Sequence, residues 1–174
     1  MTNPDPTRSP DRLQPLRQLL AAMDAEIEKV YRDRGLHGVR PRYAYPLIRL
    51  AHTGPLTIRE LADSLNQSHS AVSQTLAGMR RENLVSSQPG TDARTRRVAL
   101  TAYGRSLVPF LETEWRATEA AVAELDDEVL PLALSAAVTA TEAALRRRSL
   151  SDRISDRMDD DAAPPGPPGD EASG

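Results

Sequence analysis

The stretch Pro89-Gly90-Thr91-Asp92-Ala93-Arg94-Thr95-Arg96-Arg97 gathers three guanidinium groups and one carboxylate around a single Pro-Gly turn. A guanidinium is a permanent charge with a planar fork of donors that fits phosphate oxygens, so the chemistry on offer is anion recognition. Residues 84–88 and 95–100 flank the turn as two short strands, which puts Arg94 at or near a hairpin tip. Strand alternation turns Val98 and Leu100 toward a core and Arg97 and Ala99 the other way. A tip arginine can enter the minor groove of a duplex while Arg96 and Arg97 meet its backbone, and Asp92 can brace Arg94 by a charge-assisted bond. The plainer reading is a solvated edge whose charges block strand aggregation.

Just upstream, residues 69–81 offer a second set of recognition groups. With Val72, Leu76 and Met79 turned inward at helical spacing, the outward face presents His69, Ser70, Ser73 and Gln74, then Ala77 and Arg81. Serine hydroxyls and a glutamine amide carry donors and acceptors sized for base edges, and Gln can pair bidentately with adenine. Arg80 and Arg81, toward the helix end, suit phosphates.

These groups need elements to hold them. Thr57 and Glu60 form a capping box that opens a helix over 57–65. After the join Asn66-Gln67-Ser68, Ser68 caps a second helix through residue 82, and Asn83 stands where a left-handed residue ends it. Two short helices so joined suit a helix-turn-helix whose second member enters a major groove about 12 Å wide. Thr57 and Ser68, at the two helix starts, join the expected DNA-facing set. After a turn from Gly35 to Pro41, the run RYAYPLIRLAHTGP reads as a short helix that precedes them, with Pro46 in its first turn and Gly54-Pro55 as its stop.

Longer helices flank this lobe. Leu16, Leu20, Met23, Ile27 and Val30 make one stripe that ends by Gly35. Thr101 caps a long helix bent by Pro109, with Leu107, Phe110 or Leu111, Trp115, Val122 and Leu125 inward. Asp126 and Asp127 open a last one, carrying Leu130, Leu134, Val138, Thr141 and Leu145 to a basic end at Arg146, Arg147 and Arg148. The expected class is mainly α with a small β-hairpin: a disordered arm over 1–10, a domain over 11–148 and an acidic Pro/Gly-rich disordered tail over 149–174.

The net charge of −3 over 174 residues hides a division, because residues 28–105 carry thirteen Arg/Lys against six acids while both flanks are acidic. No cysteine is present, which excludes disulfides, thiol redox sensing and cysteine-ligated zinc. His37, His52 and His69 are dispersed, so no metal site is expected. No nucleophile–base set, phosphate-cradling glycine loop or tasked carboxylate pair suggests an enzyme. No apolar run is long enough for a membrane span and the N-terminus lacks a secretory signal's apolar core, so the expected location is cytoplasmic.

The run IRELADSLNQSHSAVSQTLAGMRRENLV, then Asp92-x-Arg94 and VALTAYG over 98–104, resembles the MarR family of winged helix-turn-helix transcription regulators. The resemblance implies a DNA-binding lobe over 42–101 and dimerisation helices over 11–34 and 102–148. It makes the hairpin a wing whose Arg94 enters the minor groove braced by Asp92. It places Ser70, Ser73 and Gln74 at base-reading positions, with Asn83 where Gly is usual. It further implies a homodimer, with Leu16, Leu20, Met23, Ile27, Leu134, Val138 and Leu145 in the interface, on a pseudo-palindromic double-stranded operator. A repressor released by a small aromatic or phenolic effector would follow, with Tyr43, Tyr45, Arg49, His52 and Trp115 as pocket candidates and no other cofactor. The alternative is a winged-helix module that binds an acidic protein partner through its arginines.

Overall fold

A computed structural model describes Asp5, Arg8 and residues 11–90 and 95–161. Helix α1, Gln14–Asp33, begins with Pro15 in its first turn, where a missing amide costs nothing. Helix α2, Pro41–Thr53, takes Pro41 at its start, so Pro46 falls inside the helix and not in the first turn as expected. Gly54, at φ +80°, ends it in a conformation that other residues resist. Helix α3, Ile58–Leu65, opens on the expected capping box: the Glu60 amide donates to Thr57 Oγ1 at 3.1 Å and the Thr57 amide to Glu60 Oε2 at 2.7 Å. Asn66 stops it at φ +51°. Helix α4, His69–Arg81, is capped by Ser68, whose Oγ accepts the Ala71 amide at 3.2 Å, and is followed by Asn83 at φ +55°.

Strands β1, Val85–Pro89, and β2, Arg96–Leu100, pair antiparallel with Val85 opposite Leu100 and Pro89 opposite Arg96. Leu56 adds one further rung beside β2: its amide donates to the Val98 carbonyl at 3.1 Å and its carbonyl accepts the Val98 amide at 2.6 Å. The expected alternation holds for Val98 and Leu100 but not for Ala99, which is buried as well, though outside the core cluster.

Helix α5, Ala102–Glu128, runs straight through Asp126 and Asp127, which were expected to open the next helix. That helix, α6, starts later, at Leu134, and ends at Arg147. Asp126 reaches it from a distance, accepting the amides of Leu134 at 2.8 Å and Ser135 at 3.3 Å. A bond from the Ser135 side chain first, and then the amides of Leu134 and Ser135, hold the Asp126 carboxyl below the ordinary aspartate range. A further helix, α7, spans Leu150–Asp161, where a disordered tail was expected. The rest of that tail, and nearly all of the expected N-terminal arm, lie outside the described residues.

The chain divides into two compact units, residues 1–117 and 118–174. The first holds the core: Tyr31 from the end of α1; Tyr43, Leu47 and Leu50 from α2; Leu61 and Leu65 from α3; Val72, Leu76 and Met79 from α4; Leu107 and Leu111 from α5. Tyr31 is fully buried, with its hydroxyl donating to Glu114 at 2.7 Å and its ring edge-on to Phe110 at 5.6 Å. Burial and the adjacent carboxylate both hold its phenol in the neutral form. The second unit is of a different kind: α6 buries no residue, and Leu125, Val138 and Leu145 are 49%, 46% and 41% exposed. Among the described residues no helix is long and apolar enough to cross a membrane.

Candidate nucleic-acid interface

The α3–α4 pair presents one open face. Val72, Leu76 and Met79 are buried as their spacing requires, which turns His69, Ser70, Gln74, Ala77, Arg80 and Arg81 to solvent and leaves Ser73 half-buried. Glycine at position 78 seats this helix. A Cβ there would lie 2.3 Å from the Tyr43 hydroxyl, so α2 and α4 can touch only because position 78 has no side chain. Ser68 uses its oxygen as the cap of α4, and Thr57 uses its own in the capping box.

A second joint fixes the far end of α4. The Leu84 carbonyl accepts the Thr101 amide at 3.1 Å, while Thr101 Oγ1 donates to the Asn83 carbonyl at 2.6 Å and accepts the Gly104 amide at 2.9 Å. A Cβ on Gly104 would sit 2.0 Å from the Leu84 carbonyl oxygen. The run LTAYG is thus a cap and a close approach in one: Thr101 starts α5 and Gly104 lets it pass over the end of α4.

At the tip end of β2, Arg96 projects to solvent, and among the described residues neither it nor Arg80 or Arg81 makes an ion pair. Arg97 differs from expectation. Its Nη1 donates to the Pro55 carbonyl at 2.9 Å and its Nη2 reaches Glu60 Oε1 at 3.5 Å, so the side chain turns back onto the lobe. The Thr57 amide, the Thr57 hydroxyl and the charge of Arg97 together hold the Glu60 carboxyl below the ordinary glutamate range. Sequence reasoning used Glu60 only as a cap; its second oxygen, left over by the capping box, was the available signal. Asp92 and Arg94, the tip pair, lie outside the described residues.

The pocket candidates separate. Tyr43 is 2% exposed and belongs to the core, because its ring fills the space over Gly78. The others gather on one side of α2 and α5: the Tyr45 and Trp115 rings meet at 5.2 Å, and Arg49 lies over the Tyr45 ring and donates to its hydroxyl at 3.1 Å. His52 Nε2 stands 2.7 Å from Glu112 Oε1. A hollow of about 250 Å³ is lined by Ile48, His52, Glu112, Trp115 and Arg116. Trp115, expected inward, is 39% exposed beside it. Arg49 Nε is a buried nitrogen without a hydrogen-bond partner among the described residues. Glu112 and Arg116 were not foreseen, although they share a helical face with Trp115. Among the described residues no group of His, Asp and Glu is placed to hold a metal.

The dimer candidates also separate. Leu16 and Leu20 on α1 are 38% and 49% exposed, Val138 and Leu145 on α6 are exposed, and Met23, Ile27 and Leu134 are half-buried. Of these, Ile27 packs against the core of its own chain.

Residues 37–95 match the sequence model of the MarR family. Comparison with curated protein sequences gives no match. Among solved structures, S. aureus MepR in a DNA complex superposes with a TM-score of 0.58 at 18% identity, over 79% of this chain and 99% of that one. The M. tuberculosis transcriptional regulator MOSR, also with DNA, gives 0.53 at 22% identity over 80% and 99%. The transcriptional regulator SlyA gives 0.52 at 14% identity over 86% and 98%. At these identities the likeness is one of fold, and it covers the helix order, the hairpin and the long flanking helices together. Over residues 37–95, which hold the capping box and the Asn83 turn, the winged-helix lobe of this chain is similar to the MarR family.

Proposed function

We propose that the protein is a sequence-specific regulator of transcription that binds double-stranded DNA as a homodimer in the cytoplasm. The observation that carries this is the open face of α4: short polar side chains at Ser70, Ser73 and Gln74, free of acids, followed by the solvated guanidinium groups of Arg80 and Arg81, with Arg96 exposed on the hairpin. Base edges in a major groove and phosphates along its rims are the partners that fit that arrangement. The family resemblance adds Arg94 and Asp92 at the wing tip. Solved relatives of this fold that hold DNA support the reading.

A second copy is the partner that the exposed stripes of α1 and α6 require. An isolated helix as short as the 14 residues of α6 is marginal in water, so α6, which buries nothing in its own chain, gains its stability from a partner surface. Two lobes related by a two-fold axis then read two half-sites about one helical turn apart. We read the hollow beside Trp115 as the effector site, for a small aromatic or phenolic anion that stacks on Tyr45 and Trp115 and takes charge from Arg49 or Arg116. Such a ligand would release a repressor by favouring one lobe spacing over another.

Selection of duplexes from random DNA, followed by anisotropy titration at several salt concentrations, tests the reading. The expected result is one recovered motif bound at least about 10³-fold more tightly than scrambled DNA. Gln74→Ala should relax preference at one position, and Arg81→Ala should lower the salt slope by about 1. Recovery of no motif, with binding equal for all sequences, would sink the proposal.

A further inference from the structure

Arg97 and Glu60 meet at the side of the wing, one rung from the tip end of its ladder. Arg97 lies in β2, one residue from the exposed Arg96, and its half-buried side chain lies along the segment before α3. There it holds the Pro55 carbonyl at 2.9 Å and approaches one oxygen of Glu60 at 3.5 Å, while the other oxygen of Glu60 takes the Thr57 amide at 2.7 Å. Directly beside this contact, Leu56 and Val98 exchange two backbone bonds. One side-chain pair and one backbone rung therefore tie the departing strand to the start of the helix-turn-helix.

We propose that Arg97 and Glu60 form a latch that aims the wing, so that Arg97 serves DNA binding as a positioning residue while Arg96 meets the phosphate. The inference rests on the DNA-binding reading above. Neighbouring strand residues project to opposite faces, so pinning Arg97 to Pro55 fixes the projection of Arg96. The planar fork matters: two donors on one rigid group reach two acceptors at once, and an ammonium of equal charge has no such geometry. Glu60 has a related requirement. Its two equivalent oxygens serve Thr57 and Arg97 together, whereas an amide offers one acceptor oxygen and must abandon one of them.

The two roles for Arg97 predict opposite signs. If Arg97 were a phosphate contact, Arg97→Lys would bind nearly as wild type and Arg97→Ala would lower the salt slope by about 1. Glu60→Gln, by removing an acid near the bound phosphates, would tighten binding. The latch predicts instead that Arg97→Lys and Glu60→Gln each weaken binding about five- to tenfold with the salt slope unchanged. The double variant should be no weaker than either single one, because both break the same link. Gln still completes the capping box, so α3 remains capped in Glu60→Gln.

The experiment uses the full-length protein and the duplex recovered by selection, with Arg96→Ala as the phosphate-contact control. Amide hydrogen exchange at Leu56 and Val98 is measured in the same variants without DNA. Faster exchange in both variants together with weaker binding at constant slope is the expected result. Tighter binding by Glu60→Gln, wild-type binding by Arg97→Lys, or unchanged exchange overturns the latch. Should selection recover no motif, the DNA-binding reading has failed, and with it the role assigned to Arg97; the exchange data then report only whether the tie at the side of the wing exists.

Discussion

Substitution of Gly78 by alanine opposes two effects of known size. In an exposed helix alanine is favoured over glycine by about 0.8–1 kcal/mol, so propensity alone predicts a more stable protein. The structure predicts the reverse. The new Cβ would stand 2.3 Å from the Tyr43 hydroxyl and 3.2 Å from the ring carbon that bears it. That is about 1 Å inside ordinary contact, against a ring that is 2% exposed and has no room to swing away. Overpacking of this kind costs about 1–3 kcal/mol, which leaves a net loss of up to roughly 2 kcal/mol after the helix gain. Tyr43→Phe removes the clashing oxygen and leaves a contact that a few tenths of an ångström relieve. The double variant should therefore recover most of the loss, with a coupling of about 1–2 kcal/mol in a cycle measured by urea denaturation at fixed protein concentration. A Gly78→Ala protein more stable than wild type, or a cycle with no coupling, would refute the argument that the ring of Tyr43 sets the height of α4 over α2.

The Thr101–Gly104 joint and the Asp126 cap yield two more tests. Gly104→Ala should destabilise more than Gly78→Ala, because the obstacle is the backbone carbonyl of Leu84 and no side-chain change relieves it; denaturation of the two variants side by side compares them. Asp126 has its carboxyl held below the ordinary range in the folded chain, so its contribution is present above the unfolded value and is lost as pH falls through the folded one. The helicity of Asp126→Asn should accordingly show a smaller drop than wild type across that acid range, as followed by circular dichroism.

The lobe was legible where local chemistry acts alone. Thr57 and Glu60, Ser68, the Val72–Met79 stripe and Asn83 each announce a helix boundary or a buried face through side chains a few residues apart, and each stands as read. Longer-range tasks were not legible. Asp126 looked like a helix start because acids favour that position; it caps α6 from eight residues away, across a loop that sequence spacing cannot show. Tyr43 looked like a ligand ring, yet only the empty place at Gly78, 35 residues on, explains its burial. Arg97 looked outward by alternation, and its partner lies 42 residues earlier at a carbonyl, which leaves no trace in a sequence. The α7 helix was hidden by its Ser and Asp content, although Leu150, Ile154 and Met158 recur at steps of four.

The joint at Leu84 has a mechanical consequence. One peptide carbonyl belongs to the turn that ends α4, receives the cap of α5, and lies beneath Gly104 with no space between. The two helices are geared there: α5 cannot roll about its axis without carrying that carbonyl, and with it the last turn of α4. A displacement of α5 at that point would need no path of small side-chain shifts to reach α4, since it would pass through the backbone itself.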